Sequence, residues 1–347
     1  MDALTLLALL AIITVLAFDC SNGFHDAANI IATVIASRAM SPAQAVMIVG
    51  VFELLGPLLG GTAVANTIGS FVDLADVPRL QAVEIVFSGV LGAIAWNLIT
   101  WWKGLPSSSS HALVGGLVGA VLASVGGRHV VWGLEALMHG HVGGVTKVIL
   151  ALLLSPVAGF AAGLFVQRVM MRLLHRARPG VNRYLRGAQF FTAMGLAFSH
   201  GANDAQKSMG ILTLILMLGG WIKTFAVPFW IMLACAGALT AGVMLGGWRI
   251  VRTLGFAIYR VRPLHALDSQ LTAASVIFGA SVLGAPVSTT HVVTTSIMGV
   301  GAAERPRAVR WGKAVEIAWT WVITIPGAAL LAIFAGALVR AAVGVFN

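Results

Sequence analysis

"NGFHDAAN" at Asn22–Asn29 and "HGANDAQK" at His200–Lys207 are the stretches on which the reading of this chain turns. Each sets an aspartate, Asp26 or Asp204, among small residues and amides within a long apolar run. Each is followed by a proline, a hydroxyl cluster and a histidine: "PSSSSHALVG" at Pro106–Gly115, then "PVSTTHVVTT" at Pro286–Thr295. Asp26 and Pro106 are 80 residues apart, and Asp204 and Pro286 are 82 apart. Two motifs that recur in one order at nearly one spacing mark a duplicated chain.

The surrounding sequence says where the duplication sits. Of 347 residues, 59% are hydrophobic and only 10% charged, against roughly a quarter charged in soluble folds. Apolar segments follow one another at 4–37, 43–69, 80–102, 107–126, 148–170, 188–218, 227–247, 267–284, 287–303 and 312–344. Most are long enough to cross a bilayer, which needs about 20 apolar residues. The expectation is an all-α, polytopic transmembrane bundle. At 1.5 Å per residue the 4–37 segment would be about 50 Å long, too long for one straight crossing. Breaks are therefore expected at Asn22-Gly23, at His200-Gly201 and near Pro326.

The net charge of +10 is read as cytoplasmic loop charge. No basic run with interleaved aromatics points to nucleic acid. The Arg168–Arg186 cluster places that loop inside, which puts both termini outside and the Asp73–Asp76 turn outside. Arg38, Lys103, Arg249–Arg262 and Arg305–Lys313 then fall inside, while Arg128 and Lys147 fall outside. Five crossings per half reverse the second half: residues 1–170 form one membrane repeat, 171–187 a basic cytoplasmic linker, and 188–347 the inverted repeat. Inverted repeats with broken helices are a common build of secondary transporters. Cys20 and Cys235 suggest neither a disulfide framework nor a metal site. The N-terminal segment lacks the basic n-region of a signal peptide and is read as a retained first helix.

Ionisable groups at membrane depth are functional by default. Asp26 and Asp204, with amide oxygens from Asn22, Asn29 and Asn203, suit Na⁺ or a titrating proton. Asp19 is read instead as an exposed loop residue. Pro106 and Pro286 are expected at the first helical position, so that Ser107–Ser110 and Val287–Thr290 present free N–H groups and hydroxyls to an anion. Gly104 and Gly284 would make the sharp turns, and the two hairpin tips would meet near the midplane. Plain N-capping by Ser and Thr is the competing reading. His111 and His291 either bridge their hairpins or relay a proton. Glu53 and Gln270 either line the path or are buried and satisfied. Glycine-rich stretches are read as close helix packing.

These motifs resemble the inorganic phosphate transporter (PiT) family, whose signature reads G-A-N-D-V-A-N-A and occurs twice. The second copy here is Gly201-Ala202-Asn203-Asp204-Ala205; the first departs to Gly23-Phe24-His25-Asp26-Ala27-Ala28-Asn29, similar to the bacterial low-affinity Pit branch. The resemblance covers almost the whole chain, without the hydrophilic insertion many members carry between halves. It implies phosphate uptake across the plasma (inner) membrane, driven by H⁺ or Na⁺, with phosphate often complexed to a divalent metal in bacteria; sulfate carriers also belong to the family. By motif, Asp26, Asn29, Asn203 and Asp204 become coupling-cation candidates, with Asp26 and Asp204 holding Na⁺ if sodium couples. Ser108, Ser109, Ser110, Ser288, Thr289 and Thr290 become phosphate candidates. Lys207 stands where the first half has Asn29, and it can pair with phosphate, pair with an aspartate or face water. Lipid surrounds the chain, a homodimer is left open, and no organic cofactor is indicated. The rivals are a passive anion channel and an intramembrane protease using Asp26 and Asp204 as its dyad.

Overall fold

The computed structural model describes residues 2–246, 250, 251, 253, 255 and 258–346, with the side chains of 343–346 left aside. Parts of the expected 227–247 span and of the Arg249–Arg262 cluster, and the terminal Asn347, lie outside the described residues. The described residues form twelve α-helices: α1 (Ala3–Ala36), α2 (Pro42–Leu59), α3 (Ala63–Gly69), α4 (Arg79–Lys103), α5 (Ser109–Ser124), α6 (Leu134–Met138), α7 (Gly144–Leu173), α8 (Val181–Gly219), α9 (Phe229–Leu245), α10 (Pro263–Val282), α11 (Thr289–Glu304) and α12 (Trp311–Phe346). Five of them, α1, α2, α4, α7 and α12, are long and apolar enough to cross a membrane. The longest, α8, is not among them; its middle carries the polar motif of the second half.

The expected breaks in α1, α8 and α12 do not occur. Each helix runs without interruption through Asn22-Gly23, His200-Gly201 and Pro326. The glycines serve packing instead. A Cβ on Gly23 would lie 2.1 Å from the Leu239 carbonyl oxygen, and one on Gly201 would lie 2.4 Å from that of Glu53. Backbone-to-backbone approach needs a residue without a side chain at the crossing. The break falls elsewhere: the expected 43–69 span splits into α2 and α3 at Gly60-Gly61-Thr62, with Gly61 at φ 80°. Gln206 of α8 stitches this gap. Its side-chain oxygen accepts from the Val64 and Ala65 N–H groups at 2.8 and 3.4 Å, and its amide donates to the Gly60 carbonyl at 3.3 Å. The freed groups at a helix start thus find a partner where no water is available. The 171–187 linker is also mostly helical, since α7 ends at Leu173 and α8 begins at Val181.

Two hairpins give the fold its centre. α4 turns into α5 through Gly104 (φ 67°), and α10 turns into α11 through Gly284 (φ 64°). Both turns need the left-handed conformation that glycine adopts without strain. Pro106 and Pro286 do not occupy the first helical position as expected. The chain stays non-helical for two further residues after each, and Ser108 and Ser288 are the N-caps. α5 and α11 are 16 residues each.

Packing is unchanged in pattern when the halves are exchanged. α1 lies against α9 as α8 lies against α2; α1 meets α4 as α8 meets α10; α12 covers the α4–α5 hairpin as α7 covers α10–α11. Each half's last long helix therefore clasps the other half's hairpin. Large apolar side chains such as Leu153, Leu154 and Phe165 of α7 and Leu330 and Phe334 of α12 face outward, whereas the polar motif residues are buried. Apolar groups outside and polar groups within suit a lipid solvent.

Candidate functional site

Helical spacing brings the motifs together. In α8, His200, Asn203, Asp204 and Lys207 follow at intervals of three and four, which stacks most of them on one face. In α1, Asn22, Asp26 and Asn29 do the same. These two helices pack on each other and on α11, and the named side chains are buried.

The two aspartates form the hub. Thr289 places its hydroxyl 3.2 Å from Oδ2 of both Asp26 and Asp204; its single proton serves one carboxylate at a time. His200 Nε2 lies 3.3 Å from Asp204 Oδ2 and 3.7 Å from Asp26 Oδ2, and its Nδ1 lies 2.6 Å from Glu53 Oε1. Glu53 thereby orients the ring. Thr290 donates to Asp26 Oδ1 at 3.2 Å and accepts from the Asn29 amide at 2.9 Å. The Asn22 amide reaches Asp204 Oδ2 at 3.3 Å. Lys207 Nζ sits 2.5 Å from Asp204 Oδ1, 2.5 Å from Ser110 Oγ and 3.1 Å from the Val287 carbonyl. Of the three readings open for Lys207, the structure takes the pairing with an aspartate. Asp26, His200 and Asp204 each offer a ligand atom within 4.8 Å of the others, a donor set that can hold a cation. The amide oxygens of Asn22, Asn29 and Asn203 are buried without a hydrogen-bond partner, which leaves oxygen ligands uncommitted beside the carboxylates.

The hairpin tips meet as expected: Ser110 Oγ donates to the Val287 carbonyl at 3.2 Å, and the His111 and His291 rings stand 4.6 Å apart. Trp321 of α12 stacks on His291 at 3.8 Å. Ser108 and Ser288 accept the backbone N–H of His111 and His291 at 3.2 and 3.3 Å. They are helix caps, each keeping one hydroxyl proton for another partner.

Some expectations move. Gln270 takes the second of its two readings, buried and satisfied, bridging Thr33 and Thr192 at 2.8 and 2.7 Å. Asn203 turns its amide nitrogen to Ser281 Oγ and the Ala285 carbonyl, at 2.9 and 3.3 Å. Asp19 is fully buried, not exposed, and accepts from Ser208 Oγ at 2.5 Å. The sequence reading assigned no role to His25 or His200. His25 holds Asp26 Oδ1 at 2.7 Å and places Nε2 3.2 Å from Ser107 Oγ and 3.3 Å from Thr100 Oγ1. His200 was legible four residues before Asp204 on a common helix face; the link from His25 to Ser107 and Thr100 crosses from α1 to α4 and its turn, and leaves no trace in local spacing.

Buried carboxylates beside two helix N-termini, inside an all-helical fold with an apolar exterior, make a polytopic membrane protein with a polar centre. Comparison with known proteins refines that class. The phosphate transporter family profile matches residues 22–332. A probable low-affinity inorganic phosphate transporter of Bacillus subtilis is 41% identical over 335 residues, covering 95% of this chain and 96% of its own length. One from Rhizobium meliloti is 42% identical over the same extent. The chain belongs to the phosphate transporter family, whose members are transporters and not enzymes. The protease reading falls with that, and so does any need for a shared proton between Asp26 and Asp204. A solved structure titled "The sodium-dependent phosphate transporter" shares the fold at a TM-score of 0.81 and 23% identity, covering 96% of this chain and 99% of that one.

Proposed function

We propose that the protein imports inorganic phosphate across the plasma (inner) membrane, coupled to the entry of H⁺ or Na⁺. One observation carries the proposal: the N-termini of α5 and α11 converge on the Asp26–Asp204 pair, α11 through Thr289 and α5 through Ser110, which Lys207 links to Asp204. Phosphate entering the membrane must shed water, a large loss for an anion. The first N–H groups of two helices, aligned with their dipoles, replace that hydration. The hydroxyls of Ser109, Ser110, Thr289 and Thr290 add hydrogen bonds, and the capping Ser108 and Ser288 hold the two N-termini in shape. Positive charge beside Asp26 and Asp204, with oxygens from Asn22, Asn29 and Asn203, offsets the anion's charge at close range.

Sodium dependence in the name of the structural relative supports Na⁺; the histidines at both aspartates support H⁺. A second reading has phosphate travelling with a divalent metal, favoured by the Asp26, His200 and Asp204 donor set. The exchange pattern of helix packing supports treating 1–170 and 188–347 as inverted repeats that rock about the site.

Radiolabelled phosphate uptake into proteoliposomes tests the proposal, with imposed Na⁺ or H⁺ gradients, added divalent metal and competing sulfate. Uphill accumulation that collapses with the gradient is expected. Equilibration alone would indicate a channel, and tighter competition by sulfate than by phosphate would reassign the anion.

A further inference from the structure

The two halves of the site are not equally filled, and one of the residues that differ changes the charge at the centre: Lys207 stands where the first half has Asn29. On the first-half side, Asp26 Oδ1 meets the hydroxyl of Thr290 from the opposite hairpin tip at 3.2 Å, and Asn29, three residues along the helix, donates to that hydroxyl at 2.9 Å. On the second-half side the arrangement recurs with Asp204, Ser110 and Lys207. Lys207, also three residues along, donates to Ser110 Oγ at 2.5 Å and to Asp204 Oδ1 at 2.5 Å. Ser110 and Thr290 occupy matching places, each the second residue of its hairpin helix. The counterpart of a neutral amide is thus an ammonium group.

We infer that the Lys207 ammonium is a built-in cation that occupies the second-half subsite, leaving one exchangeable cation subsite at Asp26 and Asn29. This inference rests on the reading of the site as a cation-coupled phosphate carrier. Three observations point the same way. Lys207 is about 1% exposed, so its charge is committed to this site and not to water. Its three donors are taken by a carboxylate, a hydroxyl and a backbone carbonyl, the oxygen set that a hard cation would choose. On the other side the Asn29 side-chain oxygen is buried with no hydrogen-bond partner, as are those of Asn22 and Asn203, so acceptors for a positive ligand remain beside the carboxylates. A tethered charge remains through the transport cycle, whereas a bound ion is delivered. Lys207 therefore sets how many cations accompany each phosphate.

The test replaces Lys207 by the residue of its counterpart, Lys207→Asn, in proteoliposomes at zero membrane potential with a tenfold inward gradient of Na⁺ and, separately, of H⁺. One additional cation per phosphate raises the limiting accumulation ratio about tenfold under the gradient of the cation that enters, by mass action. A transporting variant whose accumulation ratios equal those of the wild type under both gradients overturns the inference. If the variant folds but does not transport, binding decides: phosphate binding to the purified protein should acquire a steeper dependence on Na⁺ or on pH than in the wild type, and an unchanged dependence overturns the inference. Lys207→Met, which supplies neither charge nor oxygen, should lose phosphate binding without rescue by Na⁺; wild-type affinity in that variant also overturns it. Retention of radioactive Na⁺ and net proton uptake by Lys207→Asn against wild type, both measured without any anion, keep this inference separate from the phosphate assignment. Failure of wild-type phosphate uptake would sink the proposed function alone.

Discussion

At Thr289 one hydroxyl stands 3.2 Å from two carboxylates, so the residue touches both halves of the site. Ser109, the matching first residue of the helix on the opposite tip, is also buried. Removing either hydroxyl deletes one hydrogen bond to a charged ligand, worth about 1.5–3 kcal/mol. Ser109→Ala and Thr289→Ala should each weaken phosphate binding roughly ten- to a hundredfold by calorimetry, with the double variant weaker than either. Unchanged affinity in both single variants would reduce the clusters to helix caps. The aspartates make a sharper case. Asp26→Asn and Asp204→Asn keep the shape of the side chain but remove the charge that holds a cation. Both should lose gradient-driven accumulation while eluting from size-exclusion columns like the wild type. Normal accumulation with intact gradient dependence in both variants would transfer the coupling role elsewhere.

Among the elements, α1 against α9 and α8 against α2 approach closely, and glycine sets the distance. A Cβ on Gly242 would lie 2.0 Å from the Cys20 carbonyl oxygen, and one on Gly56 would lie 2.3 Å from that of Phe198. These contacts are backbone, so no side chain can swing aside. Gly23→Val and Gly201→Val should therefore lower stability by about 1–3 kcal/mol or more, read as a fall in the melting temperature of the detergent-purified protein. Gly195, on the same helix α8 as Gly201, has nothing within 4 Å of an added Cβ. Gly195→Ala should be tolerated or gain up to about 1 kcal/mol from helix propensity. If the two α8 substitutions behaved alike, close packing would not be the reason for Gly201. The same packing explains why the expected breaks failed to appear: a glycine that admits a neighbouring helix looks, in sequence, like a glycine that ends its own.

Across the whole molecule, residues distant in the chain gather at two ends. Arg38, Arg260, Arg262 and Arg310, from three connections, and Arg186, near the start of α8, line one cavity of about 660 Å³. The Asp73 N–H donates to the His129 carbonyl at 2.8 Å, and Val72 bridges Val130, so two connections expected on the other side do lie together. The positive-inside rule assigns the arginine end to the cytoplasm. Single cysteines in a background lacking Cys20 and Cys235 test this. Arg172→Cys should label from the cytoplasmic side, and Arg79→Cys, beside the Asp73–Asp76 turn, from the outside. Labelling of both from one side would break the odd crossing count and, with it, the inverted relation of the halves.

The sequence by itself determined the class of molecule, because composition and apolar length answer to the solvent and lipid permits few solutions. It also determined which residues meet on one helix face: Asp204 with Lys207 and Asp26 with Asn29 follow from a period of 3.6. Tertiary structure alone decided what those faces meet. The span over 43–69 breaks at Gly61 because Gln206 from another helix caps the restarted segment. Asp19 is buried because Ser208 of α8 receives it, and Gln270 is satisfied by Thr33 and Thr192. Ser107 joins the aspartates through His25, across 82 residues. Each of these depends on a partner distant in the chain, and hydrogen bonds between distant residues follow from how helices pack, which no local period encodes.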